Sequence, residues 1–307
     1  MKKKKINAVK LIIGICVVIY MLFNSEYLDD LKANLENTKE VINDNISNTM
    51  LDNTTNLQVY VLDVGQADSI LIKSNDKYAL IDAGCNETGD ELVSYLESLG
   101  IEKFEHVITT HPHEDHIGGM DNIIKNFDVN NFYMPDILTT TKTFEDVLNA
   151  LEVKNLQYTT PNIDDKFYLN DAIFTVLYLD NNEDNLNDSS IILRLEYGNN
   201  SFLFMADASS EVEEKILNKN IKSDVLKVGH HGSEYSSSNE FLKKVGASYA
   251  AISVGTNNSY NHPSNLVLKR LEKNNMKIYR TDTNGTIVFN SDKENITVNN
   301  IKTNINE

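Results

Sequence analysis

The stretch Thr110-His111-Pro112-His113-Glu114-Asp115-His116-Ile117-Gly118-Gly119-Met120 brings three of the chain's seven histidines together with two carboxylates. This H-x-H-x-D-H pattern leaves an apolar run at 106–110 that reads as a strand, so a loop at the strand end can gather the side chains. Neutral imidazole and carboxylate suit zinc, manganese or iron. His111 and His113 are spaced to share one cation, and Asp115 and His116 to face a second a few ångströms away. Seven histidines scattered through 307 residues would rarely cluster this way. Pro112 stiffens the turn, and Gly118 and Gly119 allow either a tight turn or close packing of a following helix. Two cations held there would make a water nucleophilic near neutral pH, with Asp115 to orient it and accept its proton. No serine or cysteine nucleophile is needed, and the sequence carries neither a G-x-S-x-G nor a Walker pattern.

The elements that must position these groups alternate in texture. Runs at 57–65 (LQVYVLDVG), 68–74 and 77–84 are short, rich in Val, Ile, Leu and Tyr, and bounded by turn residues, which predicts three strands. Residues 90–99 have helical spacing and end before Gly100. Helices are predicted at 121–127 and 143–152. The second half repeats the pattern. Strands are predicted at 167–169, 172–179, 189–198 and 201–207, then a Ser-capped helix at 209–219 and a strand at 224–232 ending in histidines. Helices near 239–245 and 264–274 flank a strand at 249–255, and strands at 277–281 and 285–290 close the chain. Strands clustered in each half with helices between them imply an α/β fold of two packed sheets covered by helices.

Composition bounds the rest. The chain is long enough to bury a large core, and 41% of its residues are apolar, which excludes general disorder. Two cysteines, Cys16 and Cys85, make no disulfide framework and no zinc ribbon, so a metal must be held by histidine and carboxylate. The net charge of −17 argues against nonspecific nucleic-acid binding. It does not exclude an enzyme that holds phosphate through metal. Residues 1–23 pair Lys2, Lys3, Lys4 and Lys5 with an uncharged apolar run at 11–23. This predicts an N-terminal membrane helix that leaves the following domain extracellular; a cleaved signal and a secreted protein are the alternative. Residues 24–56 are rich in Asn, Asp and Glu with leucines at helical spacing, and read as a linker. Residues 57–307 form the remaining domain.

The H-x-H-x-D-H motif resembles the signature of the metallo-β-lactamase superfamily. DVGQADS (63–69), LIDAG (80–84), MAD (205–207), KVGHHGS (227–233) and NHP (261–263) are similar to the hydrolase domain of ComEC-type competence proteins. The resemblance implies an αββα sandwich of four layers with a dinuclear site at one edge of the sheets, holding two divalent metal ions, Zn2+ or Mn2+. It implies Asp207 as a carboxylate bridging the metals, and a late histidine, His230 or His231, as a further ligand. Period-two alternation along a strand keeps both from pointing inward, and the other would contact the substrate oxyanion. It places Asp82 beside a metal-bound histidine and His262 against the substrate. Where the family usually has another histidine, this chain has Asn187-Asp188-Ser189-Ser190, so Asn187 or Asp188 supplies an oxygen or water fills the position, which favours manganese over zinc.

The expected metal ligands are therefore His111, His113, Asp115, His116, Asn187, Asp207, His230 and His231. The expected catalytic residues are Asp115, His231 and His262. The resemblance implies a phosphodiesterase or DNase, with a phosphodiester substrate that is DNA or a cell-wall polymer. The alternatives are an exported phosphorylcholine or teichoic-acid esterase, and a non-catalytic surface protein that binds through the same fold.

Overall fold

The structure, a computed structural model, describes residues 57–181, 185–303 and 305. The expected membrane segment and linker, residues 1–56, lie outside the described residues. No helix among those described is long and apolar enough to cross a membrane.

Among the described residues, fifteen strands form two sheets. The strands are β1 (Leu57–Val61), β2 (Ile70–Ser74), β3 (Lys77–Ile81), β4 (Lys103–Ile108), β5 (Asp128–Tyr133), β6 (Tyr158–Thr159), β7 (Lys166–Leu169), β8 (Ala172–Tyr178), β9 (Ile192–Tyr197), β10 (Asn200–Phe204), β11 (Val225–Lys227), β12 (Tyr249–Ile252), β13 (Lys277–Arg280), β14 (Thr286–Ser291) and β15 (Ile296–Ile301). The first sheet has the order β15-β14-β1-β2-β3-β4-β5-β6 and the second β13-β12-β11-β10-β9-β8-β7.

Alternation along the strands separates two buried faces. Ile70, Ile72, Ala79 and Ile81 of the first sheet share a core with Phe174, Leu193, Leu195, Phe202 and Phe204 of the second. The intervening residues turn the other way. Leu203 and Leu226 join Val212, Ile216, Phe241, Leu242, Val267 and Leu271, which come from three helices over the second sheet. Those helices are Ser210–Ile216, Asn239–Val245 and Asn265–Lys273. Each starts with a serine, Ser209, Ser238 or Ser264, that accepts a hydrogen bond from a first-turn amide. On the first sheet, helices Gly89–Ser98, Met120–Asn126 and Lys142–Lys154 bury the apolar faces that include Leu92, Leu96, Ile123, Ile124, Phe144 and Val147. The expected mixed α/β arrangement of two sheets covered by helices is observed.

Parallel pairing sets the location of the site. β3 and β4 are parallel, as are β10, β11 and β12. The segments that leave the carboxyl ends of these strands carry Asp82, His111, Asp207, His231 and Ser253, so both sheets deliver polar side chains to one end of the sandwich.

Candidate metal centre

The loop after β4 turns at Pro112 into a short helix, Glu114–Ile117. Gly118 and Gly119 serve close approach rather than a left-handed turn. Gly118 has ordinary helical angles, but a Cβ there would overlap the backbone of Cys85 and Asn86. A Cβ on Gly119 would meet the Ala83 carbonyl and Gly89. The histidine segment is thereby pressed against the loop that carries Asp82. The Ala83 amide donates to the His116 carbonyl at 2.8 Å, and the Asp68 amide to the Asp115 carbonyl at 3.0 Å.

Asp82 organises the first half of the centre. Its Oδ1 accepts from the Thr110 amide at 2.8 Å, and its Oδ2 accepts from Thr110 Oγ1 at 2.7 Å and His116 Nδ1 at 2.8 Å. It holds a left-handed φ of 60°, costly for a residue with a side chain and sustained here by these bonds. With Nδ1 committed as donor, His116 turns Nε2 into the centre, the arrangement typical of a metal-binding histidine and its carboxylate partner. His111 is fully buried, and its Nε2 lies 3.1 Å from His113 Nδ1. Asn187, in a short turn before β9, sits against His113 with its Oδ1 buried and unsatisfied. Asp188 is committed elsewhere: Oδ1 accepts from the Ser209 amide at 3.0 Å and Oδ2 from Asn185 at 2.8 Å.

The second sheet supplies the other half. Ala206 takes a left-handed φ of 44° directly before Asp207. Ser209, not Asp207, caps the following helix, which leaves the Asp207 carboxylate to the centre. Asp207 Oδ1 lies 3.3 Å from His116 Nε2 and 3.7 Å from His231 Nε2, while Oδ2 lies 3.6 Å from His230 Nε2. His231 Nε2 is also 3.3 Å from Asp115 Oδ2, and its Nδ1 donates to the Ser253 carbonyl at 3.0 Å.

The expected strand at 224–232 is shorter than its sequence suggests. β11 stops at Lys227, and His230 and His231 occupy successive left-handed positions, φ 50° and 51°, in a turn between Gly229 and Gly232. Strand alternation therefore does not govern them, and both rings approach Asp207. His231 is buried among the donors, whereas His230 is part-exposed on the other side of the carboxylate.

Charge in the cluster is shared. Burial opposes a charged His116, but Asp207 and Asp82 outweigh it and hold its pKa well above the ordinary 6.5. Burial likewise opposes charge on His231, and Asp207 and Asp115 raise it. Burial pushes Asp207 and Asp115 upward, yet neighbouring imidazoles prevail, and both fall below the carboxylate range. His111 is driven well below 6.5 by burial and by His116 beside it.

Asp115, His116, Asp207 and His231 each offer a donor atom, all within 4.8 Å of one another. His116 Nε2 and Asp207 Oδ1 are buried and have no well-formed hydrogen bond among the described residues. Buried polar atoms left so are rare, and nitrogen with carboxylate oxygen is a donor set for a divalent cation. The residues therefore fit a metal centre.

The family model for the metallo-β-lactamase superfamily matches residues 62–256. The chain belongs to the metallo-β-lactamase superfamily.

ComE operon protein 3 of Bacillus subtilis (strain 168) is 32% identical over 253 residues, 76% of this chain and 33% of that protein. Competence protein ComA of Neisseria gonorrhoeae is 28% identical over 243 residues, 75% of this chain and 32% of that protein. The resemblance to ComEC-type competence proteins is borne out, and the chain spans about a third of the length of these curated relatives. Among solved structures, the metallo-β-lactamase fold protein YhfI of Bacillus subtilis superposes with a TM-score of 0.51 at 13% identity, covering 76% of this chain and all of that one. At that identity the likeness speaks for the metallo-β-lactamase fold alone.

His262 lies at the rim of the centre, its ring 5.7 Å from that of His230 and 6.5 Å from that of His231. Asn258 clamps its backbone, donating to the His262 carbonyl at 2.7 Å and accepting from its amide at 3.0 Å. Burial, with His231 and His230 nearby, lowers its pKa to about 4. Tyr260, 66% exposed, stacks on His262 at 5.7 Å. His106 is remote from this cluster. Its Nε2 is 2.9 Å from the Tyr168 carbonyl and its ring lies 5.0 Å from that of Phe167. Sequence reading passed over Asp68 and Ser253. Asp68 stands in the DVGQADS motif, but the Ser253 contribution is a backbone carbonyl, which no side-chain pattern signals.

Proposed function

We propose that the chain is a metal-dependent hydrolase of phosphodiesters, with DNA as the first substrate to test. The observation that carries this reading is the buried pair His116 Nε2 and Asp207 Oδ1, 3.3 Å apart and otherwise unsatisfied, with Asp115 and His231 around it. His111, His113, Asn187 and Asp207 would hold one divalent cation, and Asp115, His116, His231 and Asp207 a second. Such cations, zinc or manganese, supply Lewis acidity and a water that is nucleophilic near neutral pH.

The chain's own residues account for the rest. Asp115 is held ionised and is partly open to solvent, which suits it to orient an attacking water by accepting its hydrogen bond. His262 stays neutral at neutral pH, so it can meet a phosphoryl oxygen or the departing oxygen by hydrogen bonding without forming an ion pair. His230 stands at the same opening. The Asn187 oxygen, in place of an imidazole, favours manganese at the first position. The resemblance to ComEC-type competence proteins supports DNA. The lysine-flanked apolar run near the N-terminus supports a membrane-held domain on the outer side.

A second reading is an esterase for phosphorylcholine-bearing polymers. The net charge of −17 favours it, because an acidic surface attracts choline cations and repels polyanions. Purified full-length chain, loaded in turn with Mn2+ and Zn2+, should hydrolyse bis-p-nitrophenyl phosphate and not nitrocefin. Single-stranded DNA, RNA and choline-bearing teichoic acid, compared side by side, then separate the two substrates. Protein that retains no metal and cleaves none of these would instead be a binding module, and the hydrolase reading would fail.

A further inference from the structure

Beneath the centre lies a buried ion pair that the catalytic reading leaves unused. Lys227 ends β11 with 1% of its surface exposed, and its Nζ donates to Asp68 Oδ2 at 2.8 Å and to the Val228 carbonyl at 3.2 Å. Asp68, 2% exposed, has no hydrogen bond on its other oxygen. That oxygen, Oδ1, faces the centre 3.6 Å from His231 Nδ1. The Asp68 carboxylate also lies within 4.8 Å of donor atoms on Asp82 and His116. One carboxylate thus stands behind His116 and His231, and a lysine stands behind that carboxylate.

We propose that Asp68 and Lys227 are positioning residues that set the electrostatic balance of the metal centre from below, and with it the preference for an anionic substrate. Four carboxylates surround the buried histidines: Asp68, Asp82, Asp115 and Asp207. Two dications would cancel them and leave no attraction for a phosphate. Lys227 restores one positive charge. A purely structural pair would instead be placed away from the donors, with both carboxylate oxygens bonded. The proposal rests on the metal-dependent reading above.

The test uses the two single variants, because they alter the charge in opposite directions. Lys227→Met makes the centre more negative; Asp68→Asn makes it more positive. Calorimetric titration of the metal-free protein with Mn2+ should show tighter binding in Lys227→Met and weaker binding in Asp68→Asn, each by about tenfold. Inhibition by inorganic phosphate should move in the opposite sense, weaker in Lys227→Met and stronger in Asp68→Asn. A structural role would impair both variants alike. Shifts of the same sign, or no shift in either quantity, overturn the proposal. Each single variant leaves a buried charge unpaired and risks misfolding. The double variant Asp68→Asn/Lys227→Met removes both charges, so its Mn2+ affinity should stay within about threefold of the parent. A folded double variant that loses affinity tenfold also overturns it. Failure of the parent protein to bind Mn2+ or Zn2+ at all would instead overturn the underlying metal reading.

Discussion

Below the pKa values of both His116 and His231, acidification should weaken cation binding by about two decades per pH unit. In the metal-free centre, imidazole nitrogens face carboxylate oxygens at short range: His116 Nε2 to Asp207 Oδ1 at 3.3 Å, and His231 Nε2 to Asp115 Oδ2 at 3.3 Å. Each approach is attractive only with a proton on Nε2. Burial disfavours that charge, but the carboxylates outweigh it, and both histidine pKa values are raised above 6.5. A cation needs the Nε2 lone pairs, so both protons must leave. Each displaced proton costs about 1.4 kcal/mol per pH unit below the histidine pKa, and two cost about 2.7 kcal/mol, a hundredfold in affinity. Calorimetry with Mn2+ in buffers of different ionisation enthalpy counts the protons released, and repeating it at roughly pH 6 and roughly pH 8 gives the slope. No proton release, with affinity flat across that range, would refute the reasoning. The same protons govern the metal-free fold. The raised histidines contribute stability that is complete below 6.5 and is lost as pH rises through their shifted values. The depressed Asp207 and Asp115 contribute above 3.8 and lose that contribution as pH falls through theirs. His111 and His262, both held below 6.5, act in the opposite sense to the raised histidines and lose stability as pH falls from 6.5 through their lowered values.

Asp82→Asn removes the negative acceptor from His116 Nδ1, and metal affinity should fall ten- to a hundredfold, roughly, by titration against a chelator. Asn187→His places an imidazole beside His113; metal content after purification from mixed zinc and manganese should shift toward zinc. Gly118→Ala drives a methyl group into the Cys85–Asn86 backbone and should destabilise the fold by about 3 kcal/mol, read by denaturant melts. His262→Ala should raise KM for a phosphodiester about tenfold while leaving metal content intact, a split that a collapsed centre would not give.

The strands β1 to β3 and β8 to β10 were legible because each is a run of branched and aromatic residues bounded by turns. β5 was not: its Asn130 and Asn131 interrupt any apolar run, yet Asn131 donates to the Glu105 carbonyl at 2.9 Å and the strand pairs in parallel with β4. β15, at the edge of the first sheet, has polar residues in its middle and only partial burial, so it carries little apolar signal. In the centre, the H-x-H-x-D-H cluster announced itself by composition. Asp207 and Asn187 needed the family resemblance, since one aspartate after an apolar run and one asparagine among many carry no local mark. The roles of His230 and His231 were hidden by consecutive left-handed residues, which period-two reasoning excludes. The Asp68–Lys227 pair joins positions far apart in the chain, so only folded contacts reveal it.

The donors are split between the sheets, with His111, His113, Asp115 and His116 on one side and Asp207 and His231 on the other. An incomplete chain therefore cannot assemble a competent grip on a cation, whichever portion is made first. The four-donor pocket of Asp115, His116, Asp207 and His231 exists only once both layers have mated, so a nascent or clipped polypeptide lacks it.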